Sequence, residues 1–183
     1  YLERLRDEAE MPILYVSHAI EEVARLASTL VLVDGGTVRA AGPAPVLLAD
    51  PGNVRLLGLR DAGALLTARV IAHHTDGLSE LETSAARLFL PRVDADIGAR
   101  LRVRIAAQDV ILATARPEQV SALNVLPVTV AGIRRGEGPG AVVQLRSGDD
   151  HLIARVTRRS ADALGLATGS SVYAMVKSVS VSP

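Results

Sequence analysis

The 183-residue sequence lacks cysteine and tryptophan and contains only three tyrosines and one phenylalanine. The lack of cysteine excludes disulfides and thiolate metal sites, and the scarcity of aromatic rings leaves almost no platform for stacking nucleobases. Twenty basic residues balance twenty acidic ones, so no net field attracts nucleic acid or anionic lipid. No signal peptide and no apolar run of about eighteen residues occur. Any anion must therefore be held by local groups.

The length allows one or two domains, since domains typically contain ~100–200 residues. Residues 49–53 form a cluster of turn-favouring residues, and residues 56–63 read as a connector. We therefore expect a domain boundary near residue 60, with one domain over residues 1–60 and another over residues 61–183.

The N-terminal part alternates apolar strands with amphipathic helices. Its pattern predicts a helix end, a buried strand, an amphipathic helix, a glycine-turned hairpin and a short helix, at residues 2–10, 13–18, 19–27, 30–39 and from 42 onward. His18 ends the buried strand and directly precedes the amphipathic helix, so its imidazole is placed to project from the strand end. Glu21 and Glu22 suit the first turn of that helix.

This order of strand, histidine, helix and glycine hairpin resembles the switch-histidine segment of ABC-transporter ATPases. The resemblance implies that His18 is catalytic, contacting the γ-phosphate and the attacking water once two subunits close around ATP and Mg²⁺. No GxxxxGK[ST] phosphate loop and no LSGGQ-like signature occur, and the chain starts at Tyr1. We therefore expect a C-terminal portion of a longer ATPase, inactive in hydrolysis on its own.

From residue 65 the pattern changes to short alternating segments typical of a small β-barrel, at residues 66–72, 79–83, 87–90 and 100–105. The pattern then recurs: residues 69–71 match 129–131, and residues 98–110 match 169–181, with a helical turn inserted at residues 160–164. The expected fold is an α/β remnant of an ABC ATPase core followed by an all-β, double OB-fold-like module. Its two related five-stranded halves are expected at about residues 64–120 and 121–183.

Three short groups of hydroxyl, amide and ammonium side chains lie in the second half of this module. Each group lies at a strand end or a helix start, where backbone N–H groups are available and a tetrahedral oxyanion can bind. The candidate oxyanion-binding residues are Ser121, Asn124, Thr157, Ser160, Lys177 and Ser178. The alternative is that the hydroxyls only cap helices and that the lysine is solvated.

The three groups follow the S-x-R-N, T-x-x-S and K-x-S pattern of the Mop domain of molybdate-binding proteins, the molbindins, which they resemble. The resemblance implies a molybdate or tungstate site that is lined by all six side chains and shared between copies of the domain. Leu123 stands where that family usually has arginine, which removes one anion donor. Selectivity among molybdate, tungstate and sulfate does not follow from the sequence.

Together the two resemblances cover nearly the whole chain and imply the ATP-binding subunit of a molybdate-importing ABC transporter, with a C-terminal TOBE/Mop regulatory domain. They imply a homodimer formed through the ATPase and Mop domains, a membrane permease partner, and a peripheral position on the cytoplasmic face of the inner membrane. The β module would sense the oxyanion and damp transport.

Two alternatives stay open at this point. The first is an ATPase subunit for another substrate whose β module is only a dimerisation scaffold, which Leu123 favours. The second is a nucleic-acid-binding OB module, which the neutral charge and the few aromatic residues disfavour.

Two further patterns suggest binding sites less strongly. His73 and His74 are strand neighbours that point to opposite faces, so we expect no shared metal ion. Residues 100, 102 and 104 are arginines on one strand face, which predicts either an acidic partner or, more often, a solvent-facing row that prevents wrong strand pairing.

Overall fold

The computed structural model describes residues 12–58 and 62–182. These residues form a two-stranded sheet and two five-stranded sheets, all antiparallel. The helices are α1 (Ile20–Leu26), α2 (Ala44–Leu48), α3 (Val54–Leu57) and α4 (Arg158–Ala163), with a 3-10 turn at Ala107–Asp109. The strands are β1 (Thr29–Asp34), β2 (Thr37–Pro43), β3 (Gly63–His73), β4 (Leu78–Glu82), β5 (Arg87–Pro91), β6 (Arg100–Ala106), β7 (Val110–Ala113), β8 (Asn124–Arg135), β9 (Gly140–Ser147), β10 (Asp150–Thr157), β11 (Ser171–Val176) and β12 (Ser180–Ser182).

The helix, hairpin and short helix predicted in the N-terminal part are confirmed as α1, β1–β2 and α2. Their apolar side chains form a small core that includes Ala24, Leu30 and Leu47. Leu65 of β3 packs into the same core from the large β module. Burial of these side chains removes apolar surface from water and holds the short helices against the hairpin.

The strand predicted over residues 13–18 is wrong. The backbone from residue 12 to residue 17 has no regular structure, and Leu14 and Val16 are 92% and 89% exposed. A strand needs partners for its N–H and C=O groups, and no strand among the described residues lies beside this segment. The described N-terminal residues therefore form a helix-flanked hairpin rather than a layered α/β sheet. The helix end predicted at residues 2–10 lies outside the described residues.

The two five-stranded sheets exchange their last strands. One sheet has the order β12-β6-β3-β4-β5 and the other the order β10-β9-β8-β11-β7. Each half of the repeat thus contributes four strands to its own sheet, whereas β7 pairs with β11 of the second half and β12 pairs with β6 of the first. The prediction of two five-stranded modules is confirmed, and the exchange ties the two modules together.

Matching backbone irregularities confirm the internal repeat. The register shifts between Val70 and Ala72 in β3 and between Val130 and Gly132 in β8. Gly98 and Gly169 adopt φ values of 94° and 91°, and their N–H groups donate to the carbonyls of Val70 and Val130 at 2.7 and 2.8 Å. A positive φ is accessible to glycine without a Cβ penalty, which explains why both copies carry glycine there.

A shared apolar core fills the space between the two sheets. Its fully buried members come from both halves and include Leu81, Leu88, Ile105, Leu126, Leu145 and Leu152. The predicted inserted helical turn is α4, whose buried Ala161 joins this core. Because both halves supply strands and core side chains to each other, the β module folds as one unit.

Candidate functional site

Thr157 and Ser160 form what we term the cap cluster, at the start of α4. The Thr157 hydroxyl accepts a hydrogen bond from the Ser160 N–H at 3.0 Å and lies 2.7 Å from the Ser160 Oγ. This is the geometry of a helix N-cap. Both residues are exposed, so their remaining hydrogen-bonding capacity faces solvent.

Ser121, Asn124, Lys177 and Ser178 form what we term the base cluster, around the backbone pair Asn124–Val176 that joins β8 to β11. Ser121, Lys177 and Ser178 are exposed. Lys177 is the only lysine in the sequence, and its ammonium makes no hydrogen bond or ion pair with the described residues. The base cluster therefore contains one ammonium without a partner among the described residues and two exposed hydroxyls near the same end of β8.

Asn124 is committed to the fold. Its side-chain oxygen accepts from the Phe89 N–H at 2.7 Å, and its Nδ2 donates to the Phe89 carbonyl at 2.8 Å. The residue is only 5% exposed. This pair of bonds imitates a strand pairing and closes the outer edge of β5 onto β8, which joins the two sheets.

The cap and base clusters lie at opposite ends of β8. Asn124 is the first residue of that strand and pairs with Val176, whereas its last residue, Arg135, pairs with Ala141 next to the Gly140–Thr157 pair. At ~3.3 Å of rise per residue, the length of β8 separates the clusters by on the order of 30 Å. One chain therefore places four of the six predicted residues near one end of β8 and the other two near its far end, so a six-residue site needs a second copy.

Leu123 borders the base cluster and is 62% exposed. Leu123 and Lys177 each lie one residue outside the Asn124–Val176 pair. An exposed leucine is unfavourable in water, and an arginine at this position would add a guanidinium donor beside the ammonium. The position is therefore open to substitution without loss of core packing.

His18 is exposed and lies next to Ala19, the N-cap residue of α1. The Ser17 hydroxyl accepts from the Ala19 N–H at 3.0 Å and donates to the Glu22 carboxylate at 3.0 Å, and the Tyr15 hydroxyl donates to the same carboxylate at 2.8 Å. The bonds from Tyr15 and Ser17 lower the pKa of Glu22, and the bond to Glu22 raises the pKa of Tyr15. These contacts hold the chain on either side of His18.

Two of the three arginines in the β6 row do not behave as the sequence predicted. One guanidinium nitrogen of Arg102 donates to the carbonyls of Ala24, Arg25 and Ala27 at 3.3, 3.0 and 2.9 Å. Arg104 lies 3.8 Å from the Glu21 carboxylate and is only 14% exposed at its side chain. Arg102 and Arg104 therefore face α1, whereas Arg100 is exposed to solvent, as the sequence predicted. The first four residues of β3 are all buried, which shows that this part of the sheet is covered on both faces.

His73 and His74 point to different partners, as predicted. His73 bonds the Ser79 hydroxyl and the Ala95 carbonyl at 2.8 and 2.9 Å, whereas His74 lies 3.1 Å from the Glu80 carboxylate. Arg87 donates to the same carboxylate at 2.7 Å, and its hydrogen bond, with that of His74, lowers the pKa of Glu80. Across residues 12–58 and 62–182 no three acidic or histidine side chains converge on a metal-sized site, and no helix is long and apolar enough to cross a bilayer.

The C-terminal module resembles known proteins in both sequence and fold. Residues 120–183 match the TOBE domain family. The fold resembles that of the cytoplasmic molybdate-binding protein ModG, solved with molybdate bound, with a TM-score of 0.56 over 64% of this chain and 93% of that one. At 23% identity this likeness shows the fold alone, and it confirms the predicted OB-like double β module.

The whole chain is similar to molybdenum import ATP-binding proteins named ModC. It is 43% identical to that of Rhizobium meliloti (strain 1021) and 44% identical to that of Albidiferax ferrireducens, in both cases over 99% of this chain. The matches cover 51% and 49% of those relatives, so the chain spans about half the length of the curated relatives it matches. The resemblance to ATP-binding subunits of molybdate importers is thereby confirmed.

Proposed function

We propose that this chain is the C-terminal part of the ATP-binding subunit of a molybdate importer, in which the β module binds molybdate or tungstate and regulates transport. The observation that carries the proposal is the 43% identity to a molybdenum import ATP-binding protein over 99% of the chain. The base cluster supports it, because Lys177 supplies an uncommitted charge beside the hydroxyls of Ser121 and Ser178.

The oxyanion site of this proposal is shared between two copies of the module. One copy supplies the base cluster, and the other supplies the cap cluster, where Thr157 and Ser160 present exposed hydroxyls. The separation of the two clusters along β8 is the reason for this arrangement. It also makes binding depend on dimerisation, so that affinity falls when the chain is diluted to the monomer.

The remaining elements of the proposal concern the parent protein. Residues 1–60 belong to its ATPase domain and residues 61–183 to its TOBE/Mop domain, with halves at about 64–120 and 121–183. His18 is the switch histidine, ATP and Mg²⁺ are the cofactors of the parent, and the partners are a second ATP-binding subunit and a membrane permease. The parent then lies peripherally on the cytoplasmic face of the inner membrane.

Calorimetric titration of the 183-residue chain tests the ligand. Sodium molybdate and sodium tungstate are expected to release or absorb heat that saturates, and sodium sulfate at equal ionic strength measures selectivity. Lys177→Met removes the ammonium and is expected to weaken binding by about tenfold or more, as expected for a lost charge-assisted hydrogen bond. Arg100→Met removes a cation elsewhere on the module and serves as the matched control.

A second function is favoured by Leu123, which lacks the donor that the Mop pattern places there. In that function the β module only holds two ATP-binding subunits together. Leu123→Arg distinguishes the two: it strengthens an existing site under the first proposal, and it creates binding where the wild type shows none under the second. The molybdate proposal would be contradicted if neither the wild type nor the Leu123→Arg variant gave a saturating heat of binding with any of the oxyanions.

A further inference from the structure

The C-terminal end of α1 depends on the β module for its hydrogen bonds. The last carbonyls of a helix have no partner inside it, and a seven-residue helix is too short to be stable alone. Arg102 satisfies three carbonyls at this end of α1, and its positive charge lies where the helix dipole is negative. One side chain of β6 thus holds the helix whose N-cap residue, Ala19, follows His18.

The strand that carries Arg102 is paired on its outer side by β12. Ser180, Val181 and Ser182 pair with Arg104, Val103 and Arg102 respectively, and the Ser180 hydroxyl also donates to the Arg104 carbonyl at 3.3 Å. The strand β12 is three residues long and lies at the sheet edge. The position of this short strand therefore bears directly on the backbone of both arginines that contact α1.

A single residue, Val179, separates the base-cluster residue Ser178 from Ser180, the first residue of β12. Lys177 and Ser178 lie in the segment where the chain leaves β11 in one sheet and crosses to β12 in the other. The Lys177 N–H donates to the Asp109 carbonyl at 2.9 Å, which anchors one end of this crossing segment. Lys177 and Ser178 therefore lie between this anchor and the start of β12.

We propose that Arg102 is a positioning residue that couples the base cluster to α1: a ligand held by Lys177 and Ser178 seats β12 on β6, and β6 through Arg102 fixes the helix that orients His18. The inference rests on the proposed function for the identity of the ligand, but the contact between β12, β6 and α1 is a property of the ligand-free chain. The two coupled sites are the base cluster and the segment around His18, and the connection between them runs through β12, β6 and Arg102.

Hydrogen exchange of the ligand-free 183-residue chain tests the connection. Arg102→Met is expected to speed exchange of the α1 amides of Val23 and Ala27 by about tenfold or more, whereas Arg100→Met leaves them unchanged. Val181→Asp, which unseats β12, is expected to speed the same amides, and the Arg102→Met/Val181→Asp double variant to add nothing further. Equal α1 exchange in wild type and Val181→Asp, or additive effects in the double variant, would overturn the proposal.

A variant keeps the fold if its β8 and β9 amides remain protected from hydrogen exchange. If Val181→Asp also speeds exchange of these amides, a chain that ends at Val179 is used instead of that variant, because it removes β12 without burying a charge. The same two outcomes apply to that chain: faster α1 exchange supports the coupling, and unchanged α1 exchange refutes it.

Sodium molybdate then tests transmission of the ligand signal. It is expected to slow α1 exchange by about threefold or more in wild type and to have no effect on α1 in Arg102→Met, which a merely stabilising contact would not produce. If calorimetry shows that molybdate does not bind, the proposed function fails while the ligand-free comparison still decides the coupling. If molybdate binds and α1 exchange in wild type does not change, the coupling fails while the proposed function stands.

Discussion

Replacing Asn124 with alanine separates a structural role for this amide from a ligand-binding one. Both polar atoms of the side chain bond the backbone of Phe89, at 2.7 and 2.8 Å, and the residue is 5% exposed. Alanine leaves the Phe89 N–H and carbonyl without these partners. Phe89 is half-buried, so water replaces these two bonds only in part, and the cost falls on the stability of the folded module.

The magnitude follows from the two backbone groups left unsatisfied. Each buried polar group that loses its partner costs about 1–3 kcal/mol, which gives about 2–6 kcal/mol for Asn124→Ala. Typical total stabilities are about 5–15 kcal/mol, so the loss is a large share. At about 2–4 °C per kcal/mol for a chain of this size, the loss corresponds to a fall of about 4–24 °C in melting temperature.

Circular dichroism melts and urea unfolding measure this loss. Asn53→Ala is the matched control, because the buried Asn53 amide makes a single bond, to the Leu47 carbonyl at 3.1 Å. It is expected to cost about half as much. An Asn124→Ala chain that melts within about 2 °C of wild type yet no longer binds molybdate would refute the structural argument and assign the amide to the ligand.

Three further substitutions test other parts of the structure. Thr157→Ala removes the cap of α4 and is expected to cost about 1 kcal/mol in urea unfolding, with Thr157→Ser as the conservative control. Gly148→Ala, at φ 59°, would place a Cβ 2.7 Å from that of Ala85 and is expected to cost more than Gly35→Ala, where a similar φ of 56° faces open space. Glu80→Gln tests pH dependence: because the folded pKa is lowered, the carboxylate stabilises the fold above its ordinary pKa of 4.5 and loses that effect as the pH falls through the folded value. The variant is expected to show a flatter dependence of the urea midpoint on pH below about 5, and equal acid sensitivity in both chains would contradict this.

The sequence predicted the strands of the β module well because their signal is local. Alternating apolar residues define one buried face, and the repeat matched β3 and β6 to β8 and β11 before their pairing was known. The exchange of β7 and β12 left no such signal, since a short strand reads the same whichever sheet it joins. The prediction of a strand at residues 13–18 failed because a local pattern does not show which strands lie nearby. Its apolar pattern is that of a buried strand, but burial needs neighbouring strands that the described residues do not supply.

The sequence predicted which side chains could bind an oxyanion, but it did not predict how the fold arranges them. The order of Ser121, Thr157 and Lys177 along the chain carried the oxyanion prediction, but nothing in the sequence showed that β8 separates the cap and base clusters. The two bonds from Asn124 to Phe89 depend on which strand edge is left open, which is a tertiary property. Arg102 was missed because an arginine facing solvent and one facing helix carbonyls look alike in a strand pattern.

The strand exchange gives the base cluster its place in the fold. The chain passes between the sheets twice, at Ala107–Asp109 before β7 and at residues 177–179 before β12, and the Lys177 N–H bonds the Asp109 carbonyl at 2.9 Å where the two crossings meet. An anion held by Lys177 and Ser178 would contact the segment that leads into β12, next to the segment that leads into β7, and these two strands complete the two sheets. Binding energy spent at this point can therefore shift the packing of the whole module, which is what a sensing role requires of its site.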